Sequence, residues 1–364
     1  MRPLIVIVIG ARPNLMKVAS LTRVIGQFQL DYRLVDTGQH SSFAMNGAFL
    51  EALEMPNPDK HLHIKSTTAV EQVAEILAQF GNYLIEVKPD CVVVVGDVNS
   101  TLACSLAANK LGVPVAHVEA GLESGDLAMP EEVNRRIVDT FARYLFCSEE
   151  AAQQNLIRRG RSLEETFLVG DTTIDTLMSQ ESRVEAPAWL GQAAGEFSLL
   201  TLHRPSNVDD PSHLSKLLST VVEVVRRPLI FPVHPRTVKR LPAWSQSEGR
   251  LQIVEPLPYH QFQYLLKNCK YVLTDSGGVQ SEATYYNVPC LTLRSSTERP
   301  ITVESGTNEI LGLDEERIQA AIRQAESGQW KKARRPSLWD GRAGFRVLSI
   351  LTDRLTRRQA LRSL

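Results

Sequence analysis

Two apolar stretches of the chain each end at an acidic residue. Val92–Val95 run directly into Gly96 and Asp97, and the stretch "VPVAHVEAG" carries Glu119 near its end. Short apolar runs of this kind are typical of buried parallel strands, and ligands bind beyond the carboxyl ends of such strands. Carboxylates placed there would point into the crevice where such a ligand binds. For Asp97 alone the alternative is a cap on the following helix, whereas two acids in adjacent βα units favour a site.

A glycine turn in the second half of the chain could bind phosphate. In "TDSGGVQSEA" the residues Ser276, Gly277 and Gly278 open a helical segment, and backbone N–H groups at such a helix start point at an anion. The motif is neither a Walker A loop nor G-x-G-x-x-G, so a plain glycine turn is the alternative. Further along the segment, Glu282 could reach a ribose hydroxyl or could be an exposed helical residue.

Cationic side chains follow the first predicted strand. Arg12 falls in the first βα turn, where its guanidinium could face a diphosphate, and Lys17 lies on the helix that follows. In the second half, "RSSTERP" contributes Glu298 and Arg299, for which a mutual ion pair that shapes the loop is the alternative. These residues therefore indicate a polar crevice that suits an anionic ligand.

Two histidines stand at predicted strand ends, each followed closely by an arginine. "TLHRPSN" contains His203 and Arg204, and "FPVHPRT" contains His234 and Arg236. One histidine at a strand end is more often a structural residue, but the repeated pattern favours a site for an anionic ligand.

Two further acids open a predicted helix. In "AMPEEVNRRIVD", Glu131 and Glu132 directly follow Pro130. Acids in the first turn complement the helix dipole, so the residue types alone predict a helix start rather than a site.

The elements that must position these residues alternate regularly. Short β-branched runs are separated by helix-length amphipathic segments, first at Leu4–Ile9, Tyr32–Asp36, Cys91–Val95, Val115–Val118 and Tyr144–Cys147, then at "FSLLTL", "PLIFPV", "LQIVEP", "YVLTD" and "PCLTLR". This pattern predicts an α/β protein with two Rossmann-like doubly wound domains facing a cleft. The polar stretch near residues 170–195, where the periodicity is lost, is expected to link them.

The composition narrows the class of protein. Of 364 residues, 43% are apolar, and 40 Lys and Arg nearly balance 41 Asp and Glu, so neither a polynucleotide nor a membrane surface is an expected partner. The five scattered cysteines predict buried thiols of a cytoplasmic protein. His61 and His63 have no third ligand nearby, so no metal is expected. The C-terminal helix carries a basic face that could bind an acidic partner, although a solvated face is the commoner reading.

A series of motifs, taken in order, resembles the bacterial non-hydrolysing UDP-N-acetylglucosamine 2-epimerases. The resemblance runs from about residue 4 to about residue 345 and rests on GARPN, TGQH, GD-x-NST, HVEAGL, MPEE-x-NR, LHRPSNVDDP, PVHPRT, EPL-x-Y, DSGG-x-Q-x-E, TERP and LWDG. It implies a glycosyltransferase-B-like fold with residues 1–170 plus 345–364 in the first domain and residues 171–344 in a UDP-binding second domain. It also implies a homodimer that epimerises a UDP-sugar without a cofactor.

The same resemblance implies roles for particular residues. The catalytic residues would be Asp97, Glu119, Glu131 and His203, of which His203 holds or protonates the diphosphate. The other site residues would bind the substrate, namely Arg12, Lys17, His234, Phe262, Ser276, Gly277, Gly278, Glu282 and Arg299. Glu131 thus acquires a role that its residue type alone does not predict.

Departures from the family pattern keep the substrate open. Glu123 stands where members commonly have arginine, and "HRPSN" lacks the HRREN pattern of members with an allosteric UDP-GlcNAc site. Allosteric activation is therefore not expected, and a modified sugar such as a diacetamido uronic acid is a candidate. Other functions left open are a hydrolysing 2-epimerase, a glycosyltransferase, and a non-catalytic nucleotide-sugar-binding protein of the same fold.

Overall fold

The computed structural model describes residues 2–39, 43–191, 197–233, 235–246 and 249–362. The chain divides into two compact units, one formed by Met1–Ser179 with Ser337–Leu364 and the other by Gln180–Pro336. No helix in the described ranges combines the length and apolar character that crossing a bilayer requires.

The first unit contains a parallel sheet of seven strands in the order β3-β2-β1-β4-β5-β6-β7. Its strands are β1 Leu4–Ile9, β2 Asp31–Asp36, β3 Lys60–His61, β4 Cys91–Val95, β5 Val115–Val118, β6 Tyr144–Cys147 and β7 Thr166–Leu168. The helices are α1 Arg12–Val24, α2 Phe43–Ala52, α3 Ala69–Val87, α4 Asn99–Lys110, α5 Pro130–Phe141, α6 Glu150–Arg158 and α7 Thr172–Gln180, together with the C-terminal Ala343–Arg362. The expected strands are all present, and the edge strands β3 and β7 are additional.

The second unit repeats this arrangement with six parallel strands in the order β10-β9-β8-β11-β12-β13. The strands are β8 Ser198–Thr201, β9 Leu229–Pro232, β10 Leu251–Val254, β11 Val272–Thr274, β12 Cys290–Thr292 and β13 Asn308–Ile310. The helices are α8 Pro205–Val208, α9 Pro211–Val224, α10 Pro235–Val238, α11 Tyr259–Asn268, α12 Gly277–Tyr286, α13 Pro300–Glu304 and α14 Glu315–Glu326, so that the C-terminal helix is α15. Both units are doubly wound, which confirms the predicted α/β class.

The strand order fixes where each unit can bind a ligand. It reverses direction between β1 and β4 in the first unit and between β8 and β11 in the second. Open parallel sheets bind ligands beyond the carboxyl ends of the strands at this switch point. The apolar strands that lead to it are buried on both faces, as the fully buried Val92, Val93 and Val94 illustrate. The predicted site residues that follow β1, β4, β8 and β11 therefore lie at the two switch points.

Helix α15 closes the first unit by packing on α1. A Cβ at Gly344 would lie 2.7 Å from the Ser20 carbonyl oxygen, so only glycine allows this approach. The backbone N–H of Gly344 donates to Asp175 Oδ2 at 2.8 Å, and the other carboxylate oxygen of Asp175 is buried without a hydrogen-bond partner in the described residues. Burial raises the pKa of Asp175 to about 6, although the N–H groups of Gly344 and Ala343 oppose the rise.

Asp175→Asn is expected to stabilise the protein at neutral pH. Because the folded state binds this proton more tightly than the unfolded state, the contribution of Asp175 to stability falls as the pH rises from about 4 to about 6. Asparagine keeps an acceptor oxygen and cannot ionise, so the free energy of unfolding at pH 7 should rise by about 2 kcal/mol. Urea unfolding of the native protein and the variant at pH 4.5 and pH 7 measures the effect. A difference between the two proteins that is the same at both pH values would contradict the prediction.

Candidate active site

Asp97 lies in the turn after β4 and is held by α5. Its carboxylate accepts a hydrogen bond from Arg135 Nη2, and its backbone carbonyl accepts one from Asn134 Nδ2 at 2.9 Å. The side chain of Arg135 is 4% exposed, whereas that of Asp97 is 22% exposed. Asp97 is therefore anchored from the protein interior while part of its carboxylate remains accessible.

Glu119 lies directly after β5 and is paired with Lys17. Lys17 Nζ donates to Glu119 Oε1 at 2.7 Å, and both residues are buried. The backbone of Glu119 has a φ of 71°, a left-handed conformation that is uncommon for a residue with a side chain. The N–H groups of Glu119 and Ala120 both donate to the Phe146 carbonyl at 3.0 Å, which holds this turn against β6. The predicted acid and the predicted lysine thus form one buried pair.

A buried histidine links the turns that carry these two acids. His117 Nδ1 lies 2.7 Å from Asp139 Oδ1, and His117 Nε2 lies 2.8 Å from the Gly96 carbonyl oxygen. Asp139 Oδ2 accepts a hydrogen bond from the N–H of Gly121 at 3.0 Å. His117 is fully buried, so these contacts fix the residue before Asp97 and the turn after Glu119 to helix α5. Neither His117 nor Asp139 is among the predicted site residues.

The two acids at the start of α5 differ in their surroundings. Glu132 is buried and accepts hydrogen bonds from the Ser124 N–H at 2.9 Å and from Arg135 and Arg136, each at 2.8 Å. Burial would raise the pKa of Glu132, but the bonds from Ser124 and Arg136 and the charge of Arg135 outweigh it and lower the pKa. Glu131 is half-buried and has no ion pair or hydrogen bond of its side chain within the described ranges.

Helical spacing places Glu131 on the face of α5 that meets the Asp97 turn. Asn134 and Arg135 stand three and four residues beyond it, and both contact Asp97. Arg12, by contrast, is exposed at the start of α1, with its guanidinium 5.3 Å from the ring centre of Phe49. The structure therefore brings Asp97, Arg135 and this face of α5 together, and it places Arg12 at the start of α1, after the strand β1 that pairs with β4.

In the second unit, His203 is oriented by a buried carboxylate. Asp275 Oδ1 lies 2.8 Å from His203 Nδ1, and the backbone N–H of Arg204 and Asn207 Nδ2 each donate to Asp275 Oδ2 at 3.0 Å. Asp275 is fully buried, whereas 55% of the His203 side chain is exposed. Burial would raise the pKa of Asp275, but the hydrogen bond and charge of His203, aided by Arg204 and Asn207, lower it. The imidazole thus presents Nε2 outward.

The start of α12 lies beside a second carboxylate. Ser276 Oγ accepts a hydrogen bond from Val279 N at 3.5 Å and caps the helix. Glu298 pairs with Arg294 at 2.8 Å and with Arg204 at 3.6 Å. Burial would raise the pKa of Glu298, but the charges of Arg294 and then Arg204 lower it. The charge of Arg299, the partner expected in the alternative, also lowers the pKa of Glu298. Arg299 is buried, and its carbonyl accepts a bond from Thr302.

Gly277→Ala is expected to destabilise the protein, and Gly278→Ala is its matched control. A Cβ at Gly277 would lie 2.6 Å from Glu298 Oε1, whereas at Gly278 the nearest atom, Ser276 Oγ, is 3.9 Å away. Because Arg294 and Arg204 hold Glu298, the clash should lower the free energy of unfolding by about 1–3 kcal/mol. Urea unfolding should show a lower value for Gly277→Ala and an unchanged or higher one for Gly278→Ala. Equal stability of the two variants would contradict this.

The remaining predicted residues lie on α11 and α12. Glu282 is buried on α12. Burial, and then the Glu282 carboxylate, raise the pKa values of the Tyr259 and Tyr286 phenols. Phe262 packs partly buried against the apolar core beneath α11. The predicted His234 lies outside the described residues.

Glu123, the departure from the family pattern, stands between two arginines. Its carboxylate lies 2.7 Å from Arg159 and 3.7 Å from Arg136. The reversed charge at this position is therefore matched by cations in the same unit.

Glu123→Arg is expected to destabilise the protein, because it replaces two ion pairs with repulsion among three cations. The pairs are partly exposed, so the free energy of unfolding should fall by roughly 1–2 kcal/mol. Thermal unfolding measures the change, and adding Arg159→Glu should restore part of it. An unaltered melting temperature in Glu123→Arg would show that these pairs contribute nothing.

The structure adds three residues to the site that lie in or beside the sequence motifs but were not predicted to have a role. Asp275 precedes the phosphate motif, His117 precedes Glu119 by two residues, and Arg135 lies in the helix of Glu131. A buried histidine in an apolar strand requires polar partners, and that was the available signal for His117. Among the described residues, no group of three or more His, Cys, Asp and Glu side chains is arranged to hold a metal ion.

Residues 24–352 match the UDP-N-acetylglucosamine 2-epimerase family. The chain is 38% identical over 362 residues to UDP-N-acetylglucosamine 2-epimerase of Methanocaldococcus jannaschii, across 95% of this chain and 98% of that protein. It is 37% identical over 327 residues to UDP-2,3-diacetamido-2,3-dideoxy-D-glucuronate 2-epimerase of Pseudomonas aeruginosa, across 88% of this chain and 91% of that protein. The crystal structure of the M. jannaschii enzyme in complex with UDP-GlcNAc and UDP matches with a TM-score of 0.87 at 38% identity, across 96% of this chain and 99% of that one.

These matches extend through both compact units, so they are not confined to one shared domain. They agree with the ordered motifs of the sequence and with the doubly wound sheets of the two units. The chain belongs to the UDP-N-acetylglucosamine 2-epimerase family.

Proposed function

We propose that this chain interconverts the two C2 epimers of a UDP-N-acetylhexosamine without releasing free sugar. The observation that carries the proposal is the placing of Asp97 and Glu119 after the adjacent strands β4 and β5, each held by a buried cation. Two carboxylates beyond the carboxyl ends of neighbouring strands suit a reaction that removes a proton from one face of a carbon and returns a proton to the other face.

The chemistry accounts for the residue types. The C2–H bond of an N-acetyl sugar is not appreciably acidic, but cleavage of C1–O with UDP as leaving group makes it so. A carboxylate takes the C2 proton, the C–H electron pair forms the C1=C2 bond of a 2-acetamidoglucal, and UDP carries away the C1–O pair. In the return step the UDP oxygen attacks C1 while a second group delivers a proton to the opposite face of C2. Proton-transfer groups are thus needed on both faces of the ring.

In this proposal each site residue has a part. Asp97, Glu119 and Glu131 are the proton-transfer groups, and Lys17 holds Glu119 in place. His203, oriented by Asp275, stabilises the diphosphate as it gains charge. The remaining residues bind the substrate: Arg12, Ser276, Gly277 and Gly278 contact the diphosphate, Glu282 contacts the ribose, and Phe262 flanks the uracil. Arg299 and His234, of which the latter lies outside the described residues, belong to the same substrate-binding set.

The proposal includes a homodimer. Apolar side chains are exposed on two helices of the first unit, with Val70 and Ile85 on α3 and Val133 and Ile137 on α5. Val133 and Ile137 stand one turn apart on α5, and neighbouring exposed apolar side chains of this kind are often covered by a partner. Size-exclusion chromatography with light scattering should give twice the chain mass for the native protein, and a monomer at micromolar concentration would contradict this.

The reaction is tested by incubation with UDP-GlcNAc in deuterated water, followed by NMR. Non-hydrolysing epimerisation should place deuterium at C2 of an intact UDP-sugar and yield UDP-ManNAc. Free N-acetylmannosamine together with UDP would instead show a hydrolysing enzyme. An unaltered UDP-GlcNAc, with no exchange at C2, would contradict the proposal for this substrate.

A second substrate is favoured by one specific relative. The P. aeruginosa protein named for UDP-2,3-diacetamido-2,3-dideoxy-D-glucuronate is 37% identical, close to the 38% of the M. jannaschii enzyme. The same NMR experiment with this uronate decides between them. Faster deuterium incorporation into the uronate would identify it as the preferred substrate, whereas transfer of sugar to an added acceptor would indicate a glycosyltransferase.

A further inference from the structure

The first unit also has a cavity at the amino ends of its strands, opposite the carboxyl ends that carry Asp97 and Glu119. Its volume is about 830 Å³, within the range of roughly 300–1,000 Å³ that small-molecule sites occupy. It is lined by the starts of β5 and β6, the loop before β5, residues 160–165 and the last turns of α15. Asp97 and Glu119 follow the carboxyl ends of β4 and β5, so this cavity at the amino ends is separate from the candidate active site.

Arginines dominate the charge of the cavity. Arg143, Arg354, Arg357 and Arg358 line it, together with the carboxylates of Glu164 and Glu165. Glu165 is shared between Arg143 at 3.5 Å and Arg161 at 3.1 Å, and Arg357 is paired with Asp353 at 2.8 Å.

Two of these guanidinium groups have no carboxylate partner among the described residues. Within the described residues, Arg354 Nη2 donates one hydrogen bond, to the Glu164 carbonyl at 3.5 Å, and the guanidinium lies 5.5 Å from the ring centre of Phe167. Arg358 has neither a hydrogen bond nor an ion pair in the part of the chain that the structure describes. Both side chains are half-buried, and they stand one turn apart on α15, where like charges repel. The cavity therefore holds more positive charge than the protein itself neutralises.

A buried phenol lies among the same guanidinium groups. Burial, and then the Cys91 thiol, raise the pKa of Tyr144, which lines the cavity. The charges of Arg358, Arg143 and Arg354 oppose that rise, which places all three within electrostatic reach of one hydroxyl. A hydroxyl and converging guanidinium groups are donors that match the oxygens of a phosphate.

We propose that this cavity binds a small phosphate-bearing anion, at a site separate from the candidate active site. Two guanidinium groups without a carboxylate partner in the described ranges, and a third that shares its carboxylate, favour a ligand with two or more negative charges over a single carboxylate. From the sequence alone, the basic face of the C-terminal helix could be a solvated surface or a site for an acidic partner. The proposal assigns part of this face to the binding of a phosphate-bearing anion.

The test is calorimetric titration of the full chain with inorganic pyrophosphate in the presence of saturating UDP, which occupies the candidate active site. The native protein should still bind pyrophosphate, and Arg354→Gln/Arg358→Gln should weaken that binding at least tenfold. The matched control is Arg226→Gln/Arg323→Gln, which removes two exposed arginines of the second unit and should leave binding unchanged.

Other outcomes are also informative. If UDP fills both sites, the native chain should bind two UDP molecules and the Arg354→Gln/Arg358→Gln variant one, which also supports the proposal. Absence of pyrophosphate binding with one UDP bound per chain would overturn it, as would equal binding by the two double variants. Should the first double variant fail to fold, Arg358→Gln alone replaces it, because that side chain has no described partner to lose.

Discussion

Asp97→Asn is expected to reduce turnover by at least about a hundredfold, the scale of a lost proton-transfer group. The substitution preserves the size of the side chain and an oxygen that can accept from Arg135, while Glu132 continues to pair with Arg135. The fold and the binding of UDP should therefore change little. Steady-state epimerisation kinetics and UDP titration calorimetry measure the two quantities separately.

The matched control is Asp31→Asn, which removes an exposed carboxylate at the start of β2. It should leave both turnover and UDP affinity unchanged. Near-normal turnover in Asp97→Asn would remove this residue from the proton-transfer step. A parallel loss of UDP affinity would instead indicate that Asp97 acts by shaping the site.

The sequence allowed the residues at the switch points to be predicted because that part of the fold depends on local patterns. The run Val92–Val95 marks a strand buried on both faces, and the residues that follow such a strand face the ligand. The same reasoning located Ser276 after β11 and His203 after β8. Strand pattern and topology are thus enough to place a residue at the carboxyl ends of the strands, where ligands bind.

The partners of those residues could not be predicted, since they are distant in sequence. Asp97 is held by Arg135, His117 by Asp139, and neither pairing follows from periodicity. Residue type also gave no means of separating Glu131 from Glu132 at the start of α5. Packing separates them, because Glu132 is buried by Ser124 and two arginines while Glu131 keeps its carboxylate unengaged within the described residues.

The partners of Glu123 also could not be predicted from the sequence. As a departure from the family pattern it predicts a changed charge near Glu119. The structure shows that Arg159 and Arg136 neutralise it, so the local charge is redistributed rather than simply reversed. Substrate preference therefore cannot be read from this position without the side chains that surround it.

Lys17→Met is expected to lower the free energy of unfolding by about 3 kcal/mol and to abolish most turnover. The substitution leaves the Glu119 carboxylate buried without the ammonium group that lies 2.7 Å away, and removing one partner of a buried ion pair is strongly destabilising. Methionine fills a similar volume, so the loss reports the charge rather than a cavity. Urea unfolding and epimerisation kinetics of the same preparation measure both effects.

The double variant Lys17→Met/Glu119→Gln separates the structural part of this pair from its proposed chemistry. A neutral amide needs no cation in the interior, so most of the lost stability should return. Turnover should remain at least about a hundredfold below that of the native chain, because glutamine cannot take or deliver the proton. Recovery of turnover along with stability would show that Glu119 and Lys17 only support the fold, and that proton transfer must be carried by Asp97 and Glu131.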